Sequence, residues 1–282
     1  MRLLITGAAG MLGRDVCAAA RAAGHDVVPL TRAELDVTDA AAVDAAIAEG
    51  RPDAVVNCAA WTDVDGAEAD EVGATAVNGA GAGHVAAGAR RAQALCVHVS
   101  SDYVFDGRAS TPYAEDAATA PLGAYGRSKL AGERAVLAAG GDAAVVRSSW
   151  LFGHHGANFV ATMLRLGAER DEVSVVDDQV GCPTWTGHLA PALIDTAERR
   201  LTGILHVAGA GTCSWFELAR ETFHLAGIDC AVLPQGTAQM SRPAPRPAHS
   251  ALRSTRAEAP VLPAWPDGLA GYLAELSTEV LP

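Results

Sequence analysis

RLLITGAAGMLG (residues 2–13) runs from a short apolar stretch into three glycines, Gly7, Gly10 and Gly13, and on into an alanine-rich segment reaching residue 23. The first part reads as a strand and the last as a helix, so the glycines fall on a strand–turn–helix junction with G-x-x-G-x-x-G spacing. Glycine at the turn permits tight backbone geometry, and the next glycine lets the chain approach a pyrophosphate. The helix N-terminus then offers free N–H groups and a positive dipole to the phosphates. A glycine motif alone is weak, but in this context it predicts dinucleotide binding, with Gly7, Gly10, Met11 and Leu12 at the phosphates. The alternative is a turn that is merely tight.

Outward from that junction the strand signature repeats in DVVPL (26–30), DAVVN (53–57), ALCVHVS (94–100) and AAVVRS (143–148). Helical stretches separate these runs near 39–49, 70–92 and 125–139. Near-continuous apolar strands alternating with crossover helices predict an α/β fold, a Rossmann-type doubly wound parallel sheet over residues 1–150. After residue 150 the rhythm becomes irregular: a helix near 157–170, a strand at 173–176, a helix near 187–200, a strand at 203–209 and a helix near 214–226. A Pro-rich stretch, SRPAPRPAHS (241–250), precedes a C-terminal helix from about 267. Residues 151–282 are therefore expected to form a smaller C-terminal lobe, with the pair at 187–209 regular enough to return to the main sheet.

The chain has 282 residues, half of them hydrophobic, which is enough for a sizeable core. Its net charge is −12 and no basic run interrupts the acidic balance. That argues against nucleic-acid or membrane partners, which need clustered positive charge. Six cysteines, at 17, 58, 96, 182, 213 and 230, include no C-x-x-C pair; buried free thiols in a reducing cytoplasm are the expectation. No apolar run approaches the ~20 residues of a bilayer span, and nothing suggests export. The histidines show no ligand spacing, and no metal is expected.

The choice of dinucleotide turns on the end of the second strand, where an acidic residue would bind the ribose 2′-OH of NAD. Here PLTRAELD places Thr31 and Arg32 at that point. Arg32 could pair with a 2′-phosphate, which argues for NADPH with NADH still open; otherwise it is a solvated loop charge. Asp36 and Val37 suit a loop flanking the adenine. Ala59 and Ala60, in NCAAW (57–61), are small where the backbone must lie close to the cofactor.

The fourth strand ends in VHVSSDYVFDG, putting Ser100 and Ser101 at the carboxyl edge of the sheet, where open α/β folds bind ligands. Later come Tyr125 and Lys129, one helical turn apart and so on one face. A cation near a phenol favours phenolate and would lower the Tyr125 pKa. Carbonyl reduction needs such a proton donor, with a Ser hydroxyl to orient the oxygen. Y-x-x-x-K alone occurs by chance, and Lys129 with Glu133 could form an ordinary i,i+4 surface pair. The glycine turn, Ser101 and the Tyr–Lys pair in one order make an active site the better reading.

TGAAGMLG, SSDYVFDG and YGRSK together resemble an extended short-chain dehydrogenase/reductase. NCAAWTDVDGAEAD, PYAEDAATAPLGAYGRSKLAGE, VRSSWLFG, NFVATMLRL, VVDDQVGCPTW and RPAPRPAHSAL narrow the likeness to the dTDP-4-dehydrorhamnose reductases, from residue 1 to about 252. The resemblance implies a Rossmann lobe with a sugar-nucleotide lobe, and reduction of the C4 ketone of dTDP-6-deoxy-L-lyxo-4-hexulose by NADPH (often NADH too) to give dTDP-L-rhamnose. It makes Ser101, Tyr125 and Lys129 the catalytic trio, with Ser where the family commonly has Thr, and puts Tyr125 and Lys129 beside the cofactor as well. Asp102, Tyr103, Trp150 and Gln179 would face the sugar, and Arg246 the nucleotide phosphates. For Trp150 and Arg246 the alternatives are an ordinary core residue and a solvated loop arginine. Gly181 and Pro183 match the family and Cys182 does not. Asp63, Asp65 and Glu68 match a family signature without an evident chemical role; helix capping would suffice. The implied partner is a dTDP-linked 4-keto-6-deoxysugar, and a homodimer is open as the assembly; some members hold Mg²⁺ at a dimer interface, but no ligands for it are placed here. A reductase of another 4-keto-deoxysugar, such as one forming dihydrostreptose, and a non-catalytic dinucleotide-binding subunit are the rivals.

Overall fold

The computed structural model describes residues 1–279. Five strands of the first half, β1 (Arg2–Thr6), β2 (Asp26–Leu30), β3 (Ala54–Asn57), β4 (Leu95–Ser101) and β5 (Ala143–Ser148), and a later one, β10 (Gly203–His206), form one sheet. Its order is β10-β5-β4-β3-β1-β2, and every pairing is parallel. The chain leaves β1 towards β2 and returns on the other side as β3, so the topological switch lies between β1 and β3, where such sheets open a ligand crevice.

Both faces are covered. Leu3 and Ile5 of β1 point to α1 (Met11–Ala22) and α8 (Thr186–Glu198), and meet Val16, Leu189 and Leu193 in one core. Leu4 points the opposite way, towards α2 (Ala40–Gly50) and α5 (Ala82–Arg91), where Val43, Ile47 and Val85 pack. All three β1 residues have no exposed surface. That two-sided burial, worth about 1.5–3 kcal/mol per large side chain, is why the strands read as apolar runs and do not alternate.

The single helix expected over 70–92 is broken. α3 (Val64–Ala69) ends at Asp70, whose carboxylate accepts from Gly73 N at 2.8 Å and starts α4 (Glu71–Thr75). A π-helical turn, Ala76–Gly81, then leads into α5. The reason is close packing against α6 (Ala124–Ala138): a Cβ on Gly132 of α6 would strike the Asn78 carbonyl, and one on Gly79 would lie 3.3 Å from Ala131 Cβ. The widened turn and the small residues let the two helices approach at that point.

Beyond β5 the strands are short. β6 (Leu151–Phe152) pairs with β9 (Thr184–Trp185), β7 (Glu172–Val176) with β12 (Ala231–Gln235), and β8 (Val180–Gly181) with β11 (Cys213–Ser214). Around them stand α7 (Phe159–Glu169), α9 (Trp215–Ala226) and α10 (Trp265–Glu279). The Pro-rich stretch is a strap: Val180 N donates to Ala248 O and Ser250 N to Val180 O, both at 2.8 Å, while His249 N donates to Gly107 O at 3.1 Å. It thereby ties the loop after β4 to the segment around residue 180. Among the described residues no helix is long and apolar enough to cross a membrane.

Candidate active site

The glycine turn has the shape a dinucleotide requires. Gly7 sits at φ +65, and a Cβ there would lie 2.7 Å from Ala59 N, so the β1 and β3 turns meet with no room for a side chain. Gly10 is the N-cap of α1 and brings no side-chain cap, which leaves the first N–H groups of the helix to a ligand. Met11 and Leu12 form that first turn. Asn57 braces the junction: its Oδ1 accepts from Thr6 Oγ1 at 2.6 Å and from Ala59 N at 3.2 Å, and its Nδ2 meets His98 Nδ1 at 3.0 Å. Ala60 lies half-buried beyond Ala59. Arg32 is exposed after β2, and Asp36 is held in a local turn by Thr38 N and Oγ1. Val37 is buried and its carbonyl meets His84 Nδ1. These residues fit NADP(H); they would hold its pyrophosphate at the Gly7–Leu12 turn.

Ser101 closes β4, and α6 carries Tyr125 and Lys129 across the carboxyl edge towards it. The Ser101 hydroxyl donates to Asp102 Oδ1 at 2.9 Å and is also a hydrogen-bond partner of the Tyr125 phenol. The Tyr125 ring stands edge-on to Tyr103, with centroids 5.5 Å apart at 81°. The expected lowering of the phenol pKa by Lys129 is not found. Burial pushes Tyr125 up to about 12, the Ser101 hydrogen bond opposes this, and the Asp102 charge adds to it. Lys129 instead donates to Val99 O at 2.7 Å, and burial, countered by Glu133 and Cys58, brings its pKa down to about 8. Tyr125 is therefore protonated throughout the neutral range, as a proton donor must be.

Nor does Lys129 pair with Glu133. Glu133 and Arg147 form a bidentate ion pair at 2.8 and 2.7 Å with both side chains 2% exposed, and Ser100 Oγ donates to the same carboxylate at 2.6 Å. The guanidinium also faces the Phe105 ring at 5.0 Å and His206 Nε2 at 3.3 Å. Next to it, Glu115 accepts from His206 N, Ser254 Oγ, and Thr255 N and Oγ1. Burial would raise the Glu115 pKa, but these hydrogen bonds outweigh it and hold it at about 2. This buried polar layer locks α6 to the sheet beneath Tyr125 and Lys129. One signal for it was present in the sequence: the arginine in AAVVRS, on a strand otherwise apolar, requires a buried carboxylate.

Directly after Ser101, Asp102 is 1% exposed and its pKa is raised to about 6 by burial, against hydrogen bonds from Ser250 and Ser101. Trp150 adopts φ +49, a left-handed conformation that costs a non-glycine residue about 1 kcal/mol or more. Its indole stacks flat on Trp215, with centroids 3.5 Å apart at 4°. A Cβ on Gly181 would strike the Trp150 indole, so that glycine is required. Gln179 is tied to the same indole, accepting from Trp215 Nε1 at 3.2 Å and donating to Thr237 Oγ1 at 2.9 Å. Trp215 carried no signal beyond an N-terminal helix position.

The acidic signature divides into three tasks. Asp63 caps α3 through Gly66 N at 2.9 Å. Asp65 grips Arg246 through both terminal guanidinium nitrogens, at 2.5 and 2.9 Å, and this pairing with the strap holds its pKa at about 2. Glu68 accepts from Ala124 N at 2.7 Å. Arg246 is thus no solvated loop residue: its side chain is 13% exposed and lies beside Tyr103. Cys182 is buried, accepting from Leu252 N at 3.4 Å through its sulfur.

A family model described as the RmlD substrate binding domain matches residues 1–278. The chain belongs to the dTDP-4-dehydrorhamnose reductase family. A Streptomyces niveus protein named dTDP-4-keto-6-deoxy-D-glucose reductase is 49% identical over 229 residues, covering 81% of this chain and 80% of its own. One from Streptomyces griseus, named dTDP-4-dehydrorhamnose reductase, is 48% identical over 262 residues, covering 90% and 86%. The crystal structure of a Bacillus anthracis dTDP-4-dehydrorhamnose reductase in complex with NADP matches with a TM-score of 0.94 at 38% identity, over 97% of this chain and 99% of that one. The fold is accordingly that of the Rossmann-type reductases of this family.

Proposed function

We propose that this protein reduces the C4 ketone of dTDP-4-dehydro-L-rhamnose to dTDP-L-rhamnose with NADPH, Tyr125 giving the proton. Family membership makes it an oxidoreductase with NADP(H) as cofactor; the substrate and the residue roles are our own reading. The observation that carries it is the juxtaposition of the Tyr125 phenol, its Ser101 partner and the buried Lys129, which interacts with Cys58 of the segment packed on Gly7.

The bound nicotinamide supplies the hydride for the ketone carbon. As the C4 oxygen gains charge, Ser101 Oγ turns its proton towards that oxygen and orients it, and the Tyr125 O–H transfers its proton there to give the alcohol. Solvent then restores the phenol proton. Lys129, one turn along α6 from the phenol, holds the ribose hydroxyls of the cofactor. Arg246, held by Asp65, faces the nucleotide's phosphates. Asp102, Tyr103, Gln179 and the Trp150 ring form the sugar's wall.

A second reading is favoured by the Streptomyces niveus relative, as similar as the Streptomyces griseus protein but named for a different 4-keto sugar: this chain would reduce another dTDP-4-keto-6-deoxysugar. A panel of dTDP-4-keto sugars incubated with NADPH, with products identified by NMR, separates the two. Formation of dTDP-L-rhamnose is expected, and turnover of a different sugar alone would replace the first reading with the second. A cytoplasmic location and a homodimer belong to the same proposal; all six cysteines are free, as a reducing compartment would leave them.

A further inference from the structure

The helix that presents Tyr125 begins without a cap of its own. Its N-cap is Gly123, in extended backbone at φ −118, with no side chain to accept from the first N–H groups. The acceptor comes instead from 56 residues upstream: Glu68 Oε1 takes the Ala124 N–H at 2.7 Å. Gly123 leaves room for it, since a Cβ there would lie 2.5 Å from Glu68 Oε1. The bonded N–H belongs to the residue directly before Tyr125.

We propose that Glu68 is a positioning residue for Tyr125, setting where the first turn of α6 starts and so where the phenol meets Ser101. Other contacts hold the sides of that turn and the carbonyl just before it, where Arg127 Nη1 donates to Leu122 O at 3.3 Å; Glu68 takes the first N–H of the helix. Arg127 binds Glu71 bidentately at 2.7 and 2.8 Å, holding the outer side of the turn to α4. A Cβ on Gly126 would strike the Tyr103 carbonyl, so the inner side lies directly on the loop after β4. Ala67 and Ala74 pack on Ala124 in a small apolar cluster against which Tyr125 rests. Asp65, one turn before Glu68 on the same helix, holds Arg246 of the strap. A short helix with no reactive group thus fixes both the catalytic turn and the strap arginine, which accounts for the spacing of Asp65 and Glu68.

The proposal rests on the reductase reading above for its kinetic arm only. Misplacing a catalytic group by about 1 Å costs on the order of 100-fold in rate, so Glu68→Ala is expected to lower kcat about 10- to 100-fold with the dTDP-4-keto sugar while NADPH binding, followed by its fluorescence, stays within about twofold. Glu68→Gln keeps an acceptor and should restore most of kcat. The double variant Glu68→Ala/Gly123→Ser should restore it as well, because the serine supplies its own cap in the space the carboxylate leaves; Gly123→Ser alone should impair kcat. Amide hydrogen exchange over residues 122–127 gives the arm that needs no sugar: Glu68→Ala should lose protection there and the double variant regain it. Unchanged protection or unchanged kcat in Glu68→Ala, or a double variant as impaired as Glu68→Ala, overturns the proposal. If Glu68→Ala does not fold, the double variant and Glu68→Gln still decide it. Wild-type protein that turns over no 4-keto sugar would sink the reductase reading, and exchange at 122–127 would still decide the role of Glu68.

Discussion

Replacing Lys129 with methionine separates what the lysine does for the reaction from what its burial does to the fold. The side chain is 3% exposed and its ammonium donates to Val99 O at 2.7 Å. Burial, partly offset by Glu133 and Cys58, brings its pKa from 10.5 to about 8. One pKa unit corresponds to about 1.4 kcal/mol, so keeping this ammonium charged at pH 7 costs the fold on the order of 3 kcal/mol relative to an exposed lysine. Methionine removes that cost but leaves the Val99 carbonyl without its donor, which takes back about 1–2 kcal/mol. The expected net is a gain of about 1–2 kcal/mol at pH 7. The sign of the pH dependence follows from proton counts. Between pH 8 and 10.5 the unfolded chain keeps a proton that the folded chain has released, so wild-type stability rises through that window and overtakes the variant. Urea unfolding of both proteins at several pH values between about 7 and 10, followed by tryptophan fluorescence without nucleotide, measures the difference; thiol and phenol titrations common to both chains cancel. Reductase activity should be lost at every pH. A stability difference that stays constant from about pH 7 to 10 would refute a charged, buried Lys129.

Glu133→Gln leaves the Arg147 guanidinium buried without its counter-charge and should cost about 3–5 kcal/mol, read as a fall in Tm of roughly 10 °C; a change under about 2 °C would show that the pair contributes little. Asp102, with its pKa raised to about 6, should give kcat/KM an inflection near that pH, and Asp102→Asn should remove it; an unchanged profile would assign the inflection elsewhere. Arg32→Asp should shift the cofactor preference towards NADH, measured as the ratio of kcat/KM for the two nucleotides, and an unchanged ratio would remove Arg32 from the account.

The parts of this molecule written in local pattern were legible before its structure. RLLITGAAGMLG specifies strand, turn and helix within twelve residues, because sterics and orphan N–H groups act over that range. The four later apolar runs named their strands for the same reason. Ser101, Tyr125 and Lys129 could be grouped because each lies at a position that a doubly wound sheet sends to one edge. What could not be read was partnership across distance. Lys129 has Tyr125 and Glu133 equally close along its helix, and only the fold shows that Glu133 turns to Arg147. The phenol pKa departs from what the spacing implies because it depends on how deeply α6 sits, which the i,i+4 pattern does not record. The π turn at Ala76–Gly81 arises from contact with α6, and helix propensity over AVNGAG contains no trace of it. Asp65 and Glu68 had no role until Arg246 and Ala124, 181 and 56 residues away, were brought to them.

Tyr125 as the proton donor is the step on which the proposed reduction depends. Tyr125→Phe removes one oxygen and keeps the ring against Tyr103, and it should bind NADPH as the wild-type protein does. With dTDP-6-deoxy-L-lyxo-4-hexulose and saturating NADPH, the rate of NADPH oxidation should fall on the order of 100- to 10,000-fold. Oxidation at the wild-type rate would contradict the mechanism.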